Sequence, residues 1–278
     1  MTGSIAHLAS RALIGLVGPD WKSFLQGLVT QDVETLAVGE LRYGALLTPQ
    51  GRLINDLFVW GDDAGGVLDV TANAREALIA RLKMYRLRAK VEIAPLNNQM
   101  FAAWGDAPAD IPGGWRADPR LPALGLRGAA ETIANALPEA AYDAHRLALG
   151  VPDPAKDGVE SDYPIEANLD LLHGIDFKKV CFVGQETTSR MHRRGVVKTR
   201  MAPIAFDGPP PPFGAQILAG ERRAGEVRGG IDGRAMAVLR IDRTGAEPLT
   251  ADGRPLALDL PLWLAGLFQP AAEEPPQS

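Results

Sequence analysis

The chain has 278 residues, 46% hydrophobic and 23% charged, a globular composition that excludes wholesale disorder. Its length exceeds that of a usual single core, so two or three packed units are expected. A formal charge of -5 excludes a protein that coats nucleic acid through overall charge but leaves room for a local basic patch.

The N-terminal "MTGSIAHLASRALIGLVGPD" lacks the charged start, apolar core and cleavage site of a secretory signal, and no apolar run reaches membrane-spanning length. A cytoplasmic protein without a membrane segment is expected. Cys181 is the only cysteine. It can form no internal disulfide, and alone it can hold neither a structural zinc ion nor an iron–sulfur cluster, so any metal would be shared with a partner.

In chain order, "GPDWKSFLQGLV" predicts a helix with Asp20 as N-cap and Trp21, Phe24, Leu25 and Leu28 at helical spacing. Leu53 to Trp60 and Val67 to Val70 read as a hairpin across "GDDAGG". From Asn73 a helix is expected, with Asn73 as N-cap, Glu76 closing a capping box, and Leu78, Leu82 and Tyr85 on one face. "AKVEIAP" alternates, which turns Val91 and Ile93 inward. "MFAAWG" and "ALGLRG" read as strands, followed by a helical stretch through Ile133 and Leu137 and a helix containing Tyr142 and Leu149 that stops at "GVP". After Lys198, short β-prone stretches separated by Gly and Pro suggest a small barrel or sandwich, with "GPPPPFG" as a surface excursion and "PAAEEPPQS" as a disordered tail.

"DFKKVCFVGQETTSRMHRRG" (176–195) carries the chemistry. Lys178 and Lys179 before Cys181, and a helix starting near Gln185 after Gly184, would both favour a thiolate. Burial beside Phe182 and Val183 as an inert packing thiol is the alternative, and physics alone leaves the two open. Arg190, His192, Arg193, Arg194, Lys198 and Arg200 form a basic cluster with no carboxylate after Glu186. A solvated helix face and a polyanion site both account for it; without interleaved aromatics, RNA is the weaker ligand. His7, His145, His173 and His192 show no metallohydrolase spacing, and neither "GLVGPDW" nor "RGGIDGR" matches a nucleotide-binding loop. His192 or His173 as base to a cysteine nucleophile is the weaker catalytic option.

"KKVCFVGQETTSR" resembles the K-G-C-Y-x-G-Q-E signature of the YgfZ-type folate-binding proteins, relatives of a mitochondrial iron–sulfur maturation factor. "FLQGLVTQDV", "LLTPQGRLINDLFVW", "YRLRAKVEI", "HRLALGVPD" and "PIEANLDLLHGIDF" resemble that family's other blocks, in order. The resemblance implies an α+β fold, the three-domain ring of the aminomethyltransferase (glycine-cleavage T-protein) type. It would have two split ferredoxin-like α+β units, residues 1–46 with 140–198 and residues 47–139, then a small C-terminal β-barrel at 199–270 and a tail at 271–278.

The same resemblance implies a tetrahydrofolate-binding accessory factor for iron–sulfur cluster assembly or repair. Cys181 would be the functional thiol, with Lys179 beside it. Tyr142, Asp32, Arg146, Asn168, Gln185, Glu186 and Arg190 would hold non-covalent tetrahydrofolate. Iron–sulfur client or assembly proteins are the expected partners; a folate-dependent aminomethyl transferase and a tRNA-binding module are the alternatives. Val180 and Phe182 replace the family's glycine and tyrosine, and valine there argues for extended backbone. Asn55–Asp56 stands where aminomethyltransferases have Asp-Asp, and Ala148 where they usually have an acid, which weakens the transferase reading.

Overall fold

The computed structural model describes residues 3–62, 64–106, 114–158, 162–179, 181–195, 197–245 and 247–268. Two units divide the chain, Met1–Arg146 with Val159–Gly195, and Leu147–Gly158 with Val196–Ser278. The tail at 271–278 and Val180 lie outside the described residues.

The elements up to residue 194 are β1 (Ser4–His7), β2 (Arg11–Val17), α1 (Trp21–Gln26), β3 (Leu41–Leu47), β4 (Leu53–Asp62), β5 (Gly65–Thr71), α2 (Arg75–Tyr85), β6 (Glu92–Leu96), β7 (Gln99–Trp104), β8 (Arg116–Ala117), β9 (Leu126–Ala130), α3 (Glu139–Ala148) and α4 (Gln185–Arg194). They supply two antiparallel sheets, ordered β3-β4-β5-β2-β6 and β1-β7-β9-β8. Thus β3, which contains position 46/47, is the paired neighbour of β4 in one sheet. The expected hairpin is β4 with β5, in the register Leu57 to Val70 and Trp60 to Val67.

Strand alternation sorts the larger sheet into two unlike faces. Ile14, Leu16, Leu57, Val59, Leu68 and Val70 pack with Trp21 and Leu25 of α1 and Leu78, Ile79 and Leu82 of α2, joined by Val91 and Ile93 as their alternation predicts. The opposite phase carries Arg11, Asp56, Phe58 and Asp69, all buried. Arg11 Nε donates to Asp69 (2.6 Å) and Arg11 Nη1 to Asp56 (3.0 Å). From the second sheet, Arg127 Nη2 donates to the other Asp69 oxygen (2.5 Å). The chain of charges continues through Asp118, 3.7 Å from Arg127, to Arg120 (2.8 Å), whose Nη2 donates to the Tyr142 hydroxyl (3.0 Å). Guanidinium carbons of Arg127, Arg120 and Arg11 lie 4.0, 4.9 and 5.5 Å from the centre of the Phe58 ring. Burial opposes ionisation of Asp118, yet Arg120 and Arg127 outweigh it and hold its carboxyl below the ordinary range.

Local signals fail at four places. Asp20 stands at the N-cap of α1 but makes no capping bond; its carboxylate accepts the Lys90 N–H (2.7 Å). Asn73 lies inside a 3-10 turn, Ala72–Ala74, and α2 begins at Arg75, whose N–H already has the Ala72 carbonyl. Tyr85 is exposed at the end of α2, where the helix leaves the sheet. The stretch through Ile133 and Leu137 is not helical: Leu137 exchanges backbone hydrogen bonds with Ile5 and His7 of β1, which removes the groups a helix would use.

The second unit holds β10 (Thr199–Ala205), β11 (Gln216–Ala219), β12 (Arg222–Ile231), β13 (Arg234–Arg240), β14 (Leu249–Ala251) and β15 (Arg254–Leu258), then α5 (Leu262–Ala265). The strands close a six-stranded barrel, β10-β13-β12-β11-β14-β15. Register shifts at Ile217/Leu218 and Val227/Gly230 supply the extra bend that closure needs. Small side chains, among them Ala202, Ala224, Ala235 and Ala237, fill the narrow interior. "GPPPPFG" carries no strand or helix and is mostly exposed, as expected.

Asp69→Ala removes the carboxylate that two buried guanidinium groups share, leaving Arg11 to Asp56 and Arg127 to Asp118 at 3.7 Å, and is expected to destabilise the chain by about 3–5 kcal/mol, read as a shift in the urea unfolding midpoint. A shift within the range of an ordinary surface substitution, about ±0.5 kcal/mol, would mean that the ion chain does not hold the two sheets together.

Candidate functional site

The thiol sits on a loop laced to the segment that follows α1. Thr30 Oγ1 donates to the Gly174 carbonyl (2.6 Å) and accepts the Ala45 N–H (2.8 Å), which ties the loop to β3 as well. The Asp176 N–H donates to Thr30 O (3.0 Å), Gln31 Nε2 to His173 O (2.7 Å), and the Val183 N–H to Gly27 O (3.2 Å). Within this frame Lys179 is buried, and its Nζ donates to the carbonyls of Val29 (2.7 Å) and Gln31 (2.8 Å). Phe182 is buried too, its ring centre 5.8 Å from that ammonium. Cys181 faces out: it is exposed and free. The inert packing alternative is therefore overturned for this thiol.

Gln185 closes the loop, its Nε2 donating back to Lys179 O (3.0 Å). Gly184, at φ +83°, starts α4, and a Cβ there would stand 2.6 Å from Thr48 O and 2.9 Å from Gly51 Cα. Gly51 is itself left-handed at φ +81°. The turn in "LTPQGR" and the start of α4 thus approach backbone to backbone, which only glycine allows.

Along α4, Thr188 is buried, while Glu186, Arg190, His192, Arg193 and Arg194 are exposed. Acid at the start and cations at the end follow the helix dipole. His192 stacks on Phe177, with ring centres 3.7 Å apart and planes at 13°. Phe177, Gln185, Glu186, Ser189, His192 and Arg193 line a cleft of about 430 Å³. Of the basic run, Arg200 is buried in β10, and with Lys198 it belongs to the second unit.

The remaining residues assigned by resemblance are engaged inside the fold. Asp32 accepts from Gln26 Nε2 (2.7 Å), from Arg42 Nη1 (3.2 Å) and from the Thr35 hydroxyl. Burial pushes its carboxyl up, but those hydrogen bonds and the Arg42 charge prevail and hold it at about 2. Tyr142 is 4% exposed, with the Trp104 ring 5.7 Å away. It offers no open ring face. Burial raises the Tyr142 hydroxyl pKa. Arg146 is buried and pairs with Asp143 one turn back (2.8 Å). Asn168 is buried in a left-handed turn (φ 62°), its carbonyl accepting the N–H groups of Leu171 and Leu172.

Lys179, Cys181, Gln185, Glu186 and Arg190 therefore share one loop and helix, with Asp32 acting on Lys179 through charge. Tyr142 and Arg146 lie on α3. Sequence reasoning missed the ion chain around Phe58, whose signal is a charged residue at an inward position of an apolar strand: Asp69 in "VLDV", Arg127 in "LRG". Nothing in the sequence pointed to the Phe177–His192 stack. No group of three or more His, Cys, Asp or Glu side chains among the described residues is placed to hold a metal ion. No helix among them is long and apolar enough to cross a membrane.

Two outcomes follow from this geometry. Burial lowers the Lys179 pKa to about 8, against the opposing charges of Asp32, Asp176 and Glu34. Between about pH 8 and the unfolded value of ~10.4 the unfolded chain binds more protons, so this lysine makes stability rise with pH. Relative to Lys179→Met, the wild-type urea midpoint should climb across that window; parallel responses of the two proteins would refute the depressed value. Gly184→Ala should cost about 1–3 kcal/mol through the left-handed backbone and the clash with Thr48, and should increase protease cleavage at the Cys181 loop.

Comparison with known proteins agrees with this architecture. The sequence model described as "CAF17, C-terminal beta-barrel domain" matches residues 198–266, the barrel. Glycine cleavage system aminomethyltransferase T from Bartonella henselae superposes with a TM-score of 0.74 over 93% of this chain and 85% of that one, at 18% identity. That likeness establishes the aminomethyltransferase-type fold. The mitochondrial iron–sulfur cluster assembly factor IBA57 homolog of Mycosarcoma maydis is 35% identical over 76% of this chain, a match spanning 60% of the relative's length. The Neurospora crassa homolog is 32% identical over 96% of this chain and 68% of its own length. With its fold, its barrel and its near full-length match in agreement, the chain belongs to the IBA57 family of iron–sulfur cluster assembly factors.

Proposed function

We propose that this protein is an accessory factor of iron–sulfur cluster assembly or repair whose working group is the Cys181 thiol, and that it binds tetrahydrofolate non-covalently. The observation that carries the reading is the outward thiol on a loop fixed from both sides. The relatives' names supply the process. A thiolate is a soft ligand for iron, and one thiolate is too few, so the cluster is cargo that takes its other ligands from a partner. Lys179 is a positioning residue here, since its ammonium is bonded to the carbonyls of Val29 and Gln31.

The residues present fit only part of a folate. Arg193 and its α4 neighbours supply cations for glutamate carboxylates, and the cleft beside Phe177 has room for a small group. Tyr142 supplies no stacking surface unless its cover of Trp104 and Arg120 moves. No chemical step is assigned to the folate. The transferase alternative is weaker still, because Asn55 carries no charge and the Asp56 carboxylate is taken by Arg11. For the tRNA alternative, the burial of Arg200 takes one cation of the basic run away from a phosphate backbone. A cytoplasmic site of action is part of the proposal; the relatives' names place those proteins in mitochondria.

Cys181→Ala should retain folate affinity in equilibrium binding yet fail to restore iron–sulfur enzyme activity in cells lacking the protein. Arg190→Ala with Arg193→Ala should weaken folate and leave the thiol function in place. Full rescue by Cys181→Ala would remove the thiol from the mechanism, and absence of measurable folate binding would remove the ligand.

A further inference from the structure

The end of α2 has no role in the site described above, yet three features coincide there. The stretch "RLKMYRLRAK" places Arg81, Lys83, Arg86, Arg88 and Lys90 in a net acidic chain, with no acidic residue between Glu76 and Glu92. None of the five cations forms an ion pair with a described carboxylate. Arg86 Nη1 reaches only the Val91 carbonyl (3.4 Å), and the nearby Asp20 carboxylate accepts the Lys90 backbone N–H.

Among these cations stand large apolar groups in solvent: Met84 is 69% exposed and Leu87 88%, with Tyr85 beside them. Leu87 also follows the C-cap of α2 at φ 44°, in the left-handed region where glycine or asparagine is usual. The fold thus holds a leucine in unfavourable backbone and leaves its side chain in water. Cations at a helix C-terminus are accounted for by the helix dipole. The dipole does not account for Leu87 or Met84, and a backbone outlier on an exposed tip points to use rather than packing.

We propose that Lys83 to Lys90 is a docking knob for an acidic protein surface with an apolar centre, Leu87 and Met84 entering the centre and Arg86 and Arg88 meeting the surrounding carboxylates. Arginine, tyrosine and methionine are the side chains that anchor protein interfaces. Nucleic acid gains little from exposed aliphatic groups, and three apolar residues on a fixed corner are too few for insertion into a membrane. The proposal rests on the assembly reading, which requires a partner to bring the other cluster ligands.

The test puts a photo-crosslinking amino acid at Met84 of the full chain in its own cells, alone or combined with Leu87→Gly or with Arg86→Glu and Arg88→Glu. The altered side chains lie in solvent, and glycine relaxes the backbone, so circular dichroism should be unchanged. One acidic protein, identified by mass spectrometry, should form the adduct, and its yield should fall at least about tenfold in either variant. RNA, lipid, a basic protein, no adduct, or an adduct indifferent to the substitutions each overturns the knob. Rescue of iron–sulfur enzyme activity separates the two claims: an acidic adduct with rescue unaffected by the variants keeps the knob and counts against the assembly role. A missing adduct with rescue intact sinks the knob alone.

Discussion

The ammonium of Lys179, held between the carbonyls of Val29 and Gln31, is the constraint on which the candidate site depends. A buried lysine is costly, and it persists only where its donors are used and opposing charge is near. Here the two carbonyls take its protons and Asp32, Asp176 and Glu34 favour its charge. Because the amine anchors the chain from inside, the backbone two residues later turns outward and leaves the Cys181 thiol in solvent. Gln185 secures the same turn from the other end by bonding the Lys179 carbonyl. The lysine therefore acts on the cysteine through geometry, whereas a purely electrostatic reading of "KKVC" would have it act through charge.

A second constraint lies between the sheets. Hydrocarbon on both faces of the larger sheet would have been a simpler solution, since apolar replacement of buried ion pairs is often neutral or better. Instead, Asp69 bridges Arg11 and Arg127, and the chain of charges ends on Tyr142. Each guanidinium spreads its charge over the face of Phe58, which offsets part of the desolvation. Such directional bonds fix one relative placement of the sheets where greasy contact would tolerate sliding. They also commit Tyr142, which explains why the residue expected to stack on a flat ligand is closed in.

Much of the fold could be read from residues. Strand-prone runs between turn signals marked β4 and β5, alternation turned Val91 and Ile93 inward, and the Gly/Pro-punctuated stretches after Lys198 pointed to a small barrel or sandwich, of which the barrel is found. Caps were less legible: Asp20 and Asn73 have the right chemistry for an N-cap, but Asp20 is drawn to Lys90 and Asn73 is pre-empted by a 3-10 turn. The helix expected through Ile133 lost to a bridge with β1, a partner more than a hundred residues away that no window sees. At the site, the residues alone left the exposure of the thiol open, whereas the helix start at Gln185 was within reach. The inward course of Lys179 was not, since its acceptors are backbone carbonyls about 150 residues earlier and carry no side-chain signature.

Arginine shows the same limit from another side and suggests how to read past it. Arg11 opens the apolar strand β2 and Arg127 stands in β9 between Leu126 and Gly128, and each ends buried against an aspartate. Arg86, Arg88, Arg193 and Arg194 come in runs near helix ends, where the dipole tolerates them, and each remains exposed. A strand residue has one inward direction, so a charge placed there must find a partner or unfold the sheet. A helix end has open solvent on most sides, so its charges are free to meet another molecule. Single-sequence charge counts merge these two populations; strand period and helix ends separate them, and only the second population can contribute to recognition by a partner.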